Sequence, residues 1–283
     1  EHNWLKKQNF LPELKYSEKD VNVEDLLNNI EIALKEWQRA GNQELNKLKK
    51  VRHCLYKEII KAAILKEEWW ENPEKILEGP HELSYHRILL QRLVASRQPG
   101  QTPPWIFTTN YDSVIENYCV NTGLMLNCGF QVENRTYRQF WHPKLLGKSC
   151  KGKCIKLYKL HGSLDWRETN DNRIERVSTE EPVSETTRRY RRNMLIYPAR
   201  KSYAAEEPFS TLMRYFRDVL FKHKACLIIG FSFRDPDINR VFIDFIKRDS
   251  RNKLLIVSPT ASKDVENNLR ISKALRNNIK CIN

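Results

Sequence analysis

Trp105-Ile106-Phe107-Thr108-Thr109-Asn110-Tyr111-Asp112 is the stretch on which the fold turns. Apolar and β-branched residues run together and then give way at once to polar ones. That is the pattern of a strand buried on both faces, with its carboxyl end left free for function. Asp112 to Cys119 follows, with Val114, Ile115 and Tyr118 at helical spacing, so the strand passes directly into a helix, as a parallel crossover unit requires.

The same texture recurs toward the C-terminus. Ile155-Lys156-Leu157-Tyr158-Lys159-Leu160 stops at His161-Gly162, and Met194-Leu195-Ile196-Tyr197 stops at Pro198. Phe209, Leu212, Met213, Phe216 and Leu220 mark an amphipathic helix ahead of the strand-like Ala225-Cys226-Leu227-Ile228-Ile229. Asp235 reads as the N-cap of the next helix and Pro236 as its first residue, with Ile238, Val241, Phe242, Phe245 and Ile246 on one face. Leu254-Leu255-Ile256-Val257 closes at Ser258-Pro259, and the last residues, Asn278 to Asn283, read as a further strand. Apolar strands alternating with amphipathic helices argue for an α/β fold, a doubly wound, Rossmann-like parallel sheet.

Toward the N-terminus the period changes. Leu26, Leu27, Ile30 and Leu34, then Leu48, Val51, Leu55, Ile59 and Ala63, fall on helical faces. A further helix around Tyr85, Ile88, Leu89 and Leu93 ends at the Pro99-Gly100 turn. The expected organisation is an inserted helical subdomain over 1–98 and a sheet core over 99–283. Residues 168–193, almost without apolar residues and including Arg188-Arg189-Tyr190-Arg191-Arg192, are expected to be a flexible basic surface insertion.

Across 283 residues, 49 Lys and Arg against 35 Asp and Glu give a formal charge of +14. Such a balance favours polyanionic partners at long range and leaves nucleic acid open, though a solvated basic surface accounts for it equally. No apolar run approaches the ~20 residues of a membrane span, which excludes a transmembrane helix. Seven cysteines, an odd number at irregular spacing, suit reduced thiols in a cytoplasmic protein better than a disulfide framework.

Ligands of an open parallel sheet sit beyond the carboxyl ends of its strands. The polar ends here are Thr109-Asn110-Tyr111-Asp112, His161-Gly162-Ser163, Gly230-Phe231-Ser232 and Ser258-Pro259. Each alone has a plain structural account: Asn110 as a turn residue, His161 as a satisfied loop histidine, Gly230 as a tight strand exit. Together, on successive strands, they are expected to converge on one crevice.

Those motifs, in that order, resemble the sirtuin superfamily, and in particular its zinc-free bacterial branch of NAD-cleaving antiphage effectors. The resemblance covers roughly residues 100–283. It implies NAD as the substrate, with Asn110 orienting the nicotinamide ribose and the attacking nucleophile and His161 as general base. It further implies Thr109, Asp112 and Gly162 around the nicotinamide end, Gly230 and Ser232 on the ribose and phosphates, and Ser258 toward the adenosine half. The implied activity is an NAD glycohydrolase that yields nicotinamide and ADP-ribose and serves antiviral abortive infection. It would be held inactive until a homo-oligomer assembles or a partner subunit or phage-derived trigger arrives. The helical region would cover the pocket or make oligomer contacts.

One element of that pattern is missing. The family opens with a strand and a Gly-Ala-Gly-x-Ser loop, whereas the nine glycines here are isolated. Such a loop presents backbone N–H groups to phosphate, and it is expected upstream of Glu1. The chemistry otherwise suits the residue types. Expelling a neutral nicotinamide from an oxocarbenium-like ribose calls for positioning and for deprotonation of a nucleophile. An amide both donates and accepts, and an imidazole, with an unperturbed pKa of ~6.5, accepts a proton near neutrality. Neither needs a metal.

Other motifs carry less. Gly147-Lys148-Ser149 lacks the leading glycine and strand of a P-loop. Cys150 and Cys154, with His142 nearby, are at most half a zinc site, and the absence of a second cysteine pair after His161 argues against a protein deacylase. The alternative of another class is a non-catalytic NAD- or ADP-ribose-binding, or nucleic-acid-associated, module.

Overall fold

The computed structural model of the chain describes residues 23–63, 81–97, 101–134, 136–148, 153–177, 190–195, 206–269 and 271–283. They fall into two compact units, Glu1–Tyr203 and Ala204–Asn283.

The first unit opens with helices α1 (Val23–Ala40), α2 (Leu45–Ala63) and α3 (His81–Ala95). Helix α1 stops where Gly41 takes a left-handed φ of 64°, a conformation that costs glycine nothing. The predicted faces of α1 and α2 meet: Leu26, Ile30, Ala33 and Leu34 pack with Leu48 and Val51. Leu27, fully buried, points to a different partner, Leu164, in a cluster that also takes in Leu55, Tyr56, Ile59 and Tyr111. The helical segment is therefore sewn to the strand region by apolar contact, and both belong to one unit. That is a division the period change near residue 98 does not mark.

Strand β1 (Trp105–Thr108) leads through helix α4 (Val114–Asn121) to β2 (Met125–Asn127), and both lie parallel to β5 (Cys154–Lys159) in the order β1-β5-β2. This is the parallel sheet of the predicted α/β fold. Central β5 is buried along its whole length. Ile155 and Leu157 pack with Leu90 of α3 and with Tyr118 and Cys119 of α4, so helices cover the sheet.

A second sheet corrects the reading of 168–193. Strands β3 (Phe130–Val132), β4 (Gln139–Trp141), β6 (Gly162–Thr169), β7 (Ile174–Arg176) and β8 (Tyr190–Leu195) form an antiparallel sheet in the order β3-β4-β7-β6-β8. Glu168, Thr169, 174–176 and 190–193 are thus strand residues rather than a flexible insertion. The lack of apolar residues misled because this sheet pairs charges in place of greasy faces: Arg138 with Glu175, Arg173 with Glu133, and Arg176 with Asp165 at 2.5 Å. Its aromatic centre is Phe130, Trp141 and Trp166. Residues 178–189, and with them Arg188 and Arg189, lie outside the described residues.

The second unit runs α5 (Phe209–Phe221), β9 (Ala225–Ile229), α6 (Pro236–Arg248), β10 (Lys253–Val257), α7 (Ala261–Asn268) and β11 (Ile279–Ile282). Its three strands are parallel, in the order β11-β10-β9. Asp235 caps α6 as predicted, its carboxylate accepting from Asp237 N at 2.8 Å and Ile238 N at 3.1 Å.

Cys54, Cys119, Cys128, Cys226 and Cys281 are free thiols. Cys154 is disulfide-bonded, which corrects the all-reduced expectation at that position: spacing along the chain does not say which sulfurs meet in space. Cys150 lies outside the described residues.

Candidate active site

Register places the first two candidate residues. Thr108 pairs with Lys159 at the carboxyl ends of β1 and β5, and Leu160 N donates to Thr108 O at 2.8 Å just beyond. Asn110 and His161 each lie two residues past that pair, on adjacent strand exits. Asn110 is exposed and His161 is buried, at 5% exposure.

Local bonds shape the loop after β1. Asn110 N donates to Thr108 Oγ1 at 3.0 Å, and Val114 N donates to Asp112 Oδ1 at 3.0 Å. Asp112 therefore satisfies the first N–H of α4, the service that capping side chains perform at helix starts. After β5 the chain reverses at Gly162, whose φ of 87° admits few other residues. Leu164 N then donates to Tyr111 O at 3.3 Å, which ties the two exits together.

An open cleft of about 270 Å³, its mouth included, lies at the end of β1. Its polar lining comes from Thr108, Asn110, Asp112, Glu116, Lys159 and His86 of α3. Thr109, His161 and Gly162 are not among its lining residues, so of the candidates Asn110 and Asp112 share this cleft.

Beneath it lies a buried charge network. Glu116 and Lys159 pair at 2.7 Å with side chains 7% and 2% exposed. Burial pushes the Glu116 carboxyl above its ordinary value, against the pull of Lys159. Asp165 stands in the opposite balance: burial pushes its pKa up, but the charges of Arg176 and Lys159 outweigh that and hold it below the ordinary 3.8. Burial also raises Cys119, to about 12, and Cys128, so neither is an activated thiol.

In the second unit, Gly230 and Ser258 follow the adjacent strands β9 and β10, and Gly230 N donates to Val257 O at 2.9 Å. Gly230 is left-handed, with φ 65°, and so is Phe233, with φ 56°. Asn268 Nδ2 donates to Ser232 O at 2.8 Å and Asn239 Nδ2 donates to Phe233 O at 2.6 Å. Two buried-side amides thus hold the Gly-Phe-Ser-Phe turn in place. Ser258 Oγ accepts from Thr260 N at 3.3 Å, within its own turn.

A family profile, the SIR2-like domain, matches residues 104–280, a range that takes in the strand exits bearing Asn110 and His161 in one unit and Gly230 and Ser258 in the other. The chain belongs to the SIR2-like domain family. No curated protein matches it. SIR2-like domains use NAD, so this chain's chemistry is NAD-related. Among the described residues of this SIR2-like chain no cluster of three or more His, Cys, Asp and Glu is placed to hold a metal ion, and no helix is long and apolar enough to cross a membrane.

Sequence reasoning missed His86, Glu116, Lys159, Asn239 and Asn268. Glu116, four residues after Asp112, stood one helical turn from a chosen residue, which is a usable signal. Lys159 carried none, because a lysine in an alternating strand reads as solvent-facing.

Proposed function

We propose that this SIR2-like chain is an NAD glycohydrolase: NAD and water give ADP-ribose, nicotinamide and a proton. The observation that carries the proposal is the adjacency of Asn110 and His161, each two residues beyond the Thr108–Lys159 pair. In the reaction, water adds to C1′ of the nicotinamide ribose as the C1′–N bond breaks. The bonding pair leaves with nicotinamide, and the water proton passes to the His161 imidazole and on to solvent. Asn110, at the exposed lip of the cleft, holds a ribose hydroxyl and the water, since its amide donates and accepts at once. Asn110 and Asp112 line one cleft, which supports a shared role at the nicotinamide-ribose end of the dinucleotide. Thr109, Asp112 and Gly162 serve that end, while Gly230, Ser232 and Ser258 serve the ribose, phosphates and adenosine.

The same reading makes the protein a cytoplasmic antiviral effector of the abortive-infection type. It is switched on by homo-oligomer assembly, a partner subunit or a phage-derived trigger, since unrestrained NAD cleavage would exhaust the cell. The packing of Leu27 against Leu164 and Tyr111 supports the helical segment as the cover over the site.

The test is nicotinamide release from NAD by the full chain. We expect release without any acylated peptide, and a loss of about 10²–10⁴-fold in His161→Ala and Asn110→Ala. NAD binding with no release would replace the reading with a sensor module, and release only with an acylated peptide would make the protein a deacylase.

A further inference from the structure

One buried cation touches the loop after β1, the turn after β5 and helix α4 at once. Lys159, the last residue of β5, sends its ammonium to Tyr111 O at 3.3 Å, to Asp112 O, to Ser163 Oγ at 2.8 Å and to Glu116 Oε1 at 2.7 Å. Tyr111 and Asp112 immediately follow Asn110. Ser163 comes two residues after His161, and Glu116 belongs to α4. The lysine side chain is 2% exposed, so these bonds are largely shielded from water.

An ammonium has three protons, and four oxygens surround this one. Its hydrogen-bonding capacity is filled, and the four oxygens belong to three segments: the loop after β1, the start of β6 and helix α4. Such a pair is a poor device for stability alone, because buried ion pairs replaced by apolar residues of like volume often leave stability unchanged or raised. What an apolar replacement cannot supply is direction toward the two carbonyls behind Asn110 and the hydroxyl behind His161.

We propose that Lys159 is a positioning residue, with Glu116 as its counter-charge: it clamps the Asn110 loop against the His161 turn and sets the distance between amide and imidazole. Its catalytic consequence rests on the glycohydrolase reading; the clamp itself does not.

The decisive variant is Lys159→Met/Glu116→Gln in the full chain, which removes the charge without leaving a carboxylate buried alone. Because misplacement by about 1 Å costs about 10²-fold, kcat for nicotinamide release is expected to fall about 10²-fold while KM stays within about threefold. Backbone hydrogen exchange over residues 110–116 rises at least about tenfold while that of Ile155 and Leu157 stays at the wild-type level, the mark of local rather than global opening. A folded double variant with kcat within about threefold of wild type, or with unchanged exchange over 110–116, overturns the proposal. Should the double variant not fold, Ser163→Ala decides: losing one of the four partners lowers kcat about three- to tenfold, and no change refutes the clamp. If the wild type releases no nicotinamide, the glycohydrolase reading falls, and the exchange measurement alone passes judgement on Lys159.

Discussion

Arg176→Met tests the balance of charges on which the antiparallel sheet rests. Arg176 Nε lies 2.5 Å from Asp165 Oδ2, with side chains 23% and 4% exposed. The variant keeps the arginine's apolar stem and abandons the carboxylate in a dry site. Removing one partner of a buried pair costs about 3–5 kcal/mol, a large share of the ~5–15 kcal/mol that holds a domain folded. The pH dependence is sharper still. In the wild type Asp165 is held below its ordinary 3.8 by Arg176 and Lys159 against the push of burial. Its contribution is therefore present above that value and drains away as pH falls through the lowered one. Without Arg176, burial prevails and the carboxyl rises above its ordinary value, so the folded variant takes up a proton before the unfolded chain does. Acidification then stabilises the variant, and the gap of about 3–5 kcal/mol at pH 7 narrows as pH falls. Urea unfolding followed by circular dichroism measures the loss, and backbone hydrogen exchange at Trp166, which pairs with Arg176 in register, reads this sheet. A variant within 1 kcal/mol of wild type at pH 7, or one that loses stability on acidification in parallel with wild type, refutes the reasoning. Asp165→Asn/Arg176→Met recovers most of the loss.

Leu27→Ala removes the fully buried contact of α1 with Leu164 and costs about 2–5 kcal/mol in urea unfolding. Nicotinamide release falls with it, because Tyr111 shares the cluster. Gly129→Ala places a Cβ 2.2 Å from Trp141 Cζ3 at a φ of 82°. A loss of about 2–4 kcal/mol is expected from the clash and the backbone together, with urea unfolding as the check. Asp235→Ala removes the one carboxylate oxygen that accepts from two N–H groups of α6 and costs about 0.5–2 kcal/mol, whereas Asp235→Asn stays within about 0.5 kcal/mol; thermal unfolding by circular dichroism separates the two.

The legible parts of this protein were those with local causes. The run Trp105–Thr108 declared a buried strand, and Asp235-Pro236 announced the start of α6 through one carboxylate and one missing N–H. Leu26, Ile30, Leu48 and Val51 marked the apolar faces of α1 and α2. The exits bearing Asn110 and His161 could be picked out because polarity changes abruptly where an apolar strand stops. The β6–β7–β8 region was illegible for the opposite reason: Asp165, Glu175 and Arg176 look like solvent-facing residues until a partner from another strand cancels each charge.

The amino-acid sequence alone thus determined the parallel strands at 105–108, 154–159, 225–229 and 253–257, the membership of a parallel α/β class and the polar strand ends, since each follows from periodicity and capping within a few residues. Only the tertiary structure decided that Thr108 stands against Lys159 and that a helical segment packs on the loop after Asn110. It alone decided that a lysine ammonium lies buried among four oxygens. Burial of charge depends on what the rest of the chain brings to it, and no window of neighbouring residues contains that information.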